Sequence, residues 1–227
     1  MVADRIKLLF LAANPVDTAR VQVDEEIHNV VERLRRNGRE GRFEIETELA
    51  VRAADLPSTI LRHRPDIVHF AGHGSESGEL LFVDGPTGQI APVSAETLSL
   101  VFKEVGEGIT CVVLNACYSQ KEAQAIATWV PCVVGMSRAV TDTAALSFAG
   151  GFYESLTLGL SIKSAWELGK LQPELNLRSG ERDVPQLICR PGVDPAAIFL
   201  NPPAGKHRLL IGSAAGILIL SLVGGPL

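Results

Sequence analysis

Apolar and polar positions along this 227-residue chain follow two rhythms. Nearly unbroken apolar runs recur at residues 6–11, 66–71, 110–116 and 132–136. Between them lie longer stretches in which apolar residues return every three or four positions. Short apolar runs bounded by turn residues predict strands buried on both faces. The longer stretches predict helices that cover those strands. The first run closes at Asn14-Pro15, a turn dipeptide. Ile27, Val30, Val31 and Leu34 then share one helical face, with acids before them and arginines after, as the helix dipole favours. Gly38 stands where a C-terminal cap belongs.

Residues 42–51 alternate instead: Phe43, Ile45, Thr47 and Leu49 form one side. That pattern predicts a strand with a single buried face, near a sheet edge. A short helix is expected over 57–63. Two apolar runs flanking "DGPTG" at 84–88 predict a hairpin arm. Ser94 is placed to cap a helix ending near 108. Further helices are expected over 120–130, 142–158 and 162–175, and a last strand over 185–189. Strands alternating with helices make this an α/β chain, with a mostly parallel central sheet flanked by helices on both faces.

The last 19 positions, 209–227, carry no charge, and Lys206, His207 and Arg208 stand directly before them. A spanning helix needs about 20 apolar residues, about 17 at the least. The expected organisation is therefore a main domain over 1–200, a linker over 201–208, and a C-terminal hydrophobic helix over 209–227 acting as a transmembrane anchor. The basic flank would keep the domain on the cytoplasmic side of the inner membrane. Without the anchor the chain would be cytoplasmic. Gly212 and Gly216 form a GxxxG that lets two such helices approach.

Composition narrows the chemistry. Net charge is −5 and the basic residues form no stripe, which argues against a nucleic-acid partner. The cysteines, Cys111, Cys117, Cys132 and Cys189, include no CxxC pair, so neither a zinc ribbon nor a redox motif is expected. A chain with its own core needs no disulfide staples, and a reducing compartment follows. His69 and His73 lie four strand residues apart, about 13 Å, too far to share one zinc. No metal or cofactor is expected, and His69 is expected to be a core histidine hydrogen-bonded inside the sheet.

In sheets of this kind chemistry sits beyond the carboxyl ends of the strands. His73 follows one apolar run in "DIVHFAGHGSESG", and Cys117 follows another in "CVVLNACYS". An imidazole beside a thiol makes a nucleophile and returns a proton to a leaving group. Gly72 would allow a sharp turn, and Gly74 would let a substrate carbonyl approach the backbone. The amides of Gly74 and Cys117 are the natural donors to an oxyanion.

"HFAGHG" followed by "VVLNACYS" resembles the CHAT family of caspase-like cysteine peptidases, relatives of separases, caspases and metacaspases. "LLFLAANPVDTARVQVDEEI" and "VVGMSRAVTDTAALSFAGGFYESL" resemble bacterial members, and the likeness covers roughly residues 6–200. The resemblance implies a caspase-like α/β sandwich that hydrolyses peptide bonds of a protein or peptide substrate. It implies a His73–Cys117 dyad, with oxyanion donors at Gly74 and Cys117. Asp142 matches an acid that binds a basic residue before the cleaved bond; helix N-capping is its alternative duty. Ser137 and Arg138 stand where relatives carry an aromatic residue, and an arginine there would oppose a basic substrate. Bacterial relatives are often effectors in defence or regulatory systems. With no regulatory segment legible here, an activating protein partner is expected. A catalytically silent interaction module and a Cys-His hydrolase of small acyl or amide compounds are the competing readings.

Overall fold

The structure, a computed structural model, describes residues 5–18, 23–36, 42–85 and 87–201. Gly38 and the apolar segment 209–227 lie outside the described residues, as does the linker beyond Asn201. Among the described residues no helix is long and apolar enough to cross a membrane.

Strand β1 (Ile6–Ala12) sets the plan, because its side chains alternate between two cores. Ile6, Leu8 and Phe10 enter one apolar cluster, and Leu9 and Leu11 enter the other. The same division holds along β3 (Ile67–Ala71) and β7 (Cys111–Asn115): Ile67 and Val113 face one way, Val68, Phe70, Val112 and Leu114 the other. These strands are buried throughout, which explains their unbroken apolar runs.

The first core is closed by α1 (Val23–Arg36), α5 (Asp142–Thr157) and α6 (Ile162–Leu177). Phe10, Phe148 and Phe152 are almost fully buried there. Such burial contributes about 1.5–3 kcal/mol for each side chain. The second core is closed by α2 (Leu56–His63), α3 (Ala95–Val105) and α4 (Gln120–Ile126), with Leu56, Leu98, Phe102 and Ile126 facing the sheet.

With β2 (Phe43–Glu48), β8 (Cys132–Met136) and β9 (Pro185–Cys189), the main sheet has six strands in the order β2-β1-β3-β7-β8-β9. All neighbours run parallel except β9, which pairs antiparallel with β8. The alternating strand β2 occupies one edge, as its single apolar side predicts. The hairpin grows into a second, three-stranded antiparallel sheet of β4 (His73–Gly74), β5 (Glu79–Val83) and β6 (Ile90–Ser94).

Helix α4 stops at Ile126, short of the 120–130 expected. Trp129 N–H bonds back to the Ile126 carbonyl in a tighter turn, and Pro131 follows. A proline disfavours helical backbone in the residue before it, so the apolar pattern runs on after the helix has ended. Helix α6 runs past the expected 175 to Leu177. Ser94 caps α3 as expected, its hydroxyl accepting from the Thr97 N–H.

In the first turn of α4, Glu122 is fully buried and neither carboxyl oxygen has a hydrogen-bond partner. Burial pushes its carboxyl above the ordinary carboxylate range, opposed by its own backbone N–H and by Lys121 and reinforced by Glu79. A carboxyl raised by folding stabilises the fold fully below its unfolded pKa of about 4.3, and loses that contribution as pH rises through the folded value. Glu122→Gln is therefore expected to melt at a higher temperature than the parent at pH 7, with the difference vanishing near pH 4. Thermal unfolding followed by circular dichroism at both pH values checks this.

Candidate active site

Strands β3 and β7 are adjacent and parallel, with Ala71 opposite Asn115 at the end of the pairing. The chain leaves both strands at the same edge of the sheet. His73 comes two residues after β3 and Cys117 two residues after β7, each partly exposed. Both line one cleft, together with Glu26, Gly72, Asn115, Val140 and Asp142.

The glycines around His73 are required by contact, not by an unusual backbone. Neither Gly72 nor Gly74 adopts a positive φ. A Cβ on Gly72 would stand 2.9 Å from the Ala13 carbonyl oxygen and 3.0 Å from the Phe70 ring. A Cβ on Gly74 would overlap the Cys117 carbonyl oxygen. The partner that needs the room at Gly74 is thus the Cys117 backbone, where sequence reasoning had looked to a substrate carbonyl. The close approach brings the Gly74 and Cys117 main chains side by side.

Cys117 sits on a constrained turn. Tyr118 follows in the left-handed region at φ 57°, and its N–H reaches the Arg138 carbonyl at 3.4 Å. A non-glycine residue there stores about 1–3 kcal/mol, held by the surrounding structure. The thiol sulfur accepts from the Val140 N–H at 3.4 Å. Ser119 pins the next residues: its hydroxyl donates to the Leu114 carbonyl at 3.1 Å and accepts from the Met136 N–H at 3.0 Å. The cysteine turn is thereby fastened to both β7 and β8.

Asp142 opens α5 but does not cap it. The N-cap is Thr141, whose hydroxyl accepts from the Ala144 N–H. The buried Glu181 clamps that cap, accepting from the Thr141 N–H at 2.8 Å and from its hydroxyl at 2.7 Å. Asp142 is left exposed along the cleft. Arg138 is not among the lining residues; its guanidinium donates to the Gly180 carbonyl at 3.2 Å. Ser137 donates to the Val184 carbonyl at 3.1 Å. Both residues brace the segment before β9.

Sequence reasoning missed Glu26 and Asn115. Glu26 is buried on α1, with its Oε1 2.8 Å from His69 Nε2, and it accepts from the Asn115 side-chain amide. His69 is fully buried, and its Nδ1 pairs with the Tyr153 hydroxyl at 2.9 Å. The His69–Glu26 approach is short but not aligned as a hydrogen bond. Burial pushes the Tyr153 hydroxyl well above its ordinary pKa, so Tyr153 stays neutral. Asn115 Oδ1 is buried without a partner. The acidic "DEE" opening of α1 was read only as helix-dipole chemistry; Glu26 is the acid that shares the buried helix face with Val23, Val30 and Leu34.

The CHAT domain family model matches residues 3–172, most of the chain. The chain belongs to the CHAT domain family. This CHAT domain is 27% identical over 158 residues to a protein of Gillisia limnaea named "Probable protease". That match takes in 67% of the chain, and the chain spans 27% of the relative's length. Among solved structures, caspase-1 from Spodoptera frugiperda superposes with a TM-score of 0.56 at 12% identity, covering 88% of the CHAT domain chain and 90% of its own. The Arg-specific cysteine proteinase gingipain R superposes with a TM-score of 0.55 at 10% identity, covering 82% of this chain and 46% of its own. At these identities the two structures establish the fold: a caspase-like α/β sheet flanked by helices.

Gly74→Ala tests the main-chain contact. With a Cβ forced into the Cys117 carbonyl, the variant is expected to lose several degrees of melting temperature. Alkylation of Cys117 by iodoacetamide in the native protein should change rate, since the cysteine turn must shift.

Proposed function

We propose that this CHAT domain is a cysteine endopeptidase that cleaves protein substrates after a basic residue. The observation that carries the reading is the shared cleft of His73 and Cys117 at the ends of adjacent parallel strands. The named relative and the proteinase fold neighbours support the same reaction class.

In the proposed cycle His73 takes the Cys117 proton and the sulfur attacks the scissile carbonyl. A C–S bond forms and the carbonyl oxygen becomes an oxyanion, held by the N–H groups of Gly74 and Cys117. A good donor in that place is worth about 10²–10³ in rate. His73 then returns the proton to the leaving amine as the C–N bond breaks. Water, deprotonated by the same imidazole, hydrolyses the thioester and frees the sulfur.

Asp142 and Glu26 make the cleft wall acidic, and Arg138 is turned to Gly180. A lysine or arginine side chain is the complementary substrate group. Asp142 is the exposed member and is assigned the direct contact.

The uncharged segment 209–227 behind Lys206, His207 and Arg208 belongs to the same proposal as a membrane anchor. It would hold the peptidase on the cytoplasmic face as a bacterial effector whose activity a protein partner controls. Flotation with phosphatidylglycerol-containing vesicles checks this: the full chain should rise with the lipid in high salt, and a chain ending at 201 should stay below.

Covalent labelling tests the chemistry. A peptide acyloxymethyl ketone with arginine before the warhead is expected to add once, at Cys117, as seen by intact mass. Cys117→Ala and His73→Ala should each lower kcat/KM by about 10³-fold or more without moving the melting temperature. Asp142→Ala should lower it at least about tenfold for arginine substrates only. Full cleavage by Cys117→Ala would refute the dyad.

A further inference from the structure

Away from the cleft, a pair of thiols has no part in the proposed chemistry. Cys132 opens β8, Cys189 closes β9, and the two stand directly opposite in the antiparallel register. Their sulfurs are 3.7 Å apart, and both cysteines are reduced. Opposed residues of an antiparallel pair have Cα atoms about 4.5–5.5 Å apart, inside the range of about 4.4–6.8 Å that a disulfide spans. Closing the bond therefore needs side-chain rotation and no movement of the strands.

We propose that Cys132 and Cys189 form a reversible oxidation site that closes to an intrachain disulfide when the protein meets a peroxide.

The pair divides the two roles that such a site needs. Cys189 is half-buried on the edge strand and open to a small oxidant, and Cys132 is fully buried behind it. The Cys132 thiol beside it holds the Cys189 thiol below its ordinary range, against burial and Asp194. The thiolate form is the one that reacts. Cys189 sulfur attacks a peroxide oxygen; the S–O bond forms, the O–O bond breaks, and hydroxide leaves. Cys189 is oxidised by two electrons to the sulfenic acid. Cys132 sulfur then attacks Cys189 sulfur; the S–S bond forms, the S–O bond breaks, and the departing hydroxide leaves as water with the Cys132 proton. Two thiols and one hydrogen peroxide become one disulfide and two waters.

The bond would staple the β8–β9 pair, whose far end leads into the segments beside the cleft. At its other end Met136 pairs with Pro185, Ser137 bonds to Val184, and Glu181 clamps Thr141 beside Asp142. The loop closed by the disulfide contains α5, α6 and that whole segment. Cross-linking it restricts the unfolded chain and raises thermal stability.

The test uses the full chain, treated with a modest excess of hydrogen peroxide, alkylated in denaturant and digested without reduction. The expected product is a peptide pair joined through Cys132 and Cys189, about 2 Da lighter than the two free thiols and lost on reduction. The treated protein should melt about 5 °C higher or more, an increment that dithiothreitol removes and Cys189→Ser never gains. Cys189→Ser sits on the edge strand and is the control if Cys132 variants fail to fold. Recovery of both cysteines alkylated, at peroxide levels that oxidise Cys117 completely, would overturn the proposal. So would a new disulfide that joins Cys132 to Cys111, its neighbour on β7.

Discussion

The pairing of β3 with β7 is the constraint on which the rest of this structure depends. Parallel strands in register must end at the same edge of a sheet, so whatever follows them emerges together. Ala71 stands opposite Asn115, and the chain then needs two more residues on each side to reach His73 and Cys117. No long side chain or mobile loop has to bridge the gap. The apolar runs of β3 and β7 are buried on both faces, which fixes their register: a one-residue slip would exchange the two core faces of every side chain. Hydrophobic burial on both sides of the sheet thus sets the placement of two polar groups at its rim.

Polar contacts then fix what burial leaves loose. Below the rim, Glu26 reaches from α1 to His69 on β3 and to Asn115 on β7. A carboxylate taken out of water is expensive unless it is paired, so α1 is held against these two strands by the need to keep that partner set. On the other side, Ser119 ties the cysteine turn to β8, and Glu181 ties the start of α5 to the segment before β9. The Ser119 and Glu181 fastenings act near strand ends, whereas Glu26 reaches His69 in the middle of β3.

How much was legible follows from how local each signal was. The buried apolar strands, the edge place of β2 and the Ser94 cap all rest on nearest-neighbour patterns, and these were in the sequence. Asp142 was visible as a position, but its freedom from capping was not: Thr141 precedes it and is the better-placed cap, and only the structure brings in Glu181 to hold it. The overlong expectation for α4 came from counting apolar residues through Trp129 and Val130 without weighing Pro131. The pairing of Glu26 with Asn115, 89 residues away, left no local trace. One acid among Asp24, Glu25 and Glu26 turns inward because the helix phase puts it on the buried face with Val23 and Val30. The apolar periodicity of Ile27, Val30 and Leu34 carries that phase, so the inward acid was recoverable in principle from the spacing of its neighbours.

Gly74 shows why a motif can be right for the wrong reason. Glycine between a strand exit and a functional loop invites an argument about turns or about substrate access. Here its φ is ordinary, and what it admits is the backbone of the other half of the site, close enough that a single methyl group would overlap an oxygen. The His and Cys segments are therefore one packed unit, not two loops that happen to face each other. A change in either backbone is transmitted to the other through van der Waals contact, which is steep at these distances. The segment that follows β8 belongs to the same unit, because the Val140 N–H bonds to the Cys117 sulfur, so a shift of that segment reaches the cysteine turn directly.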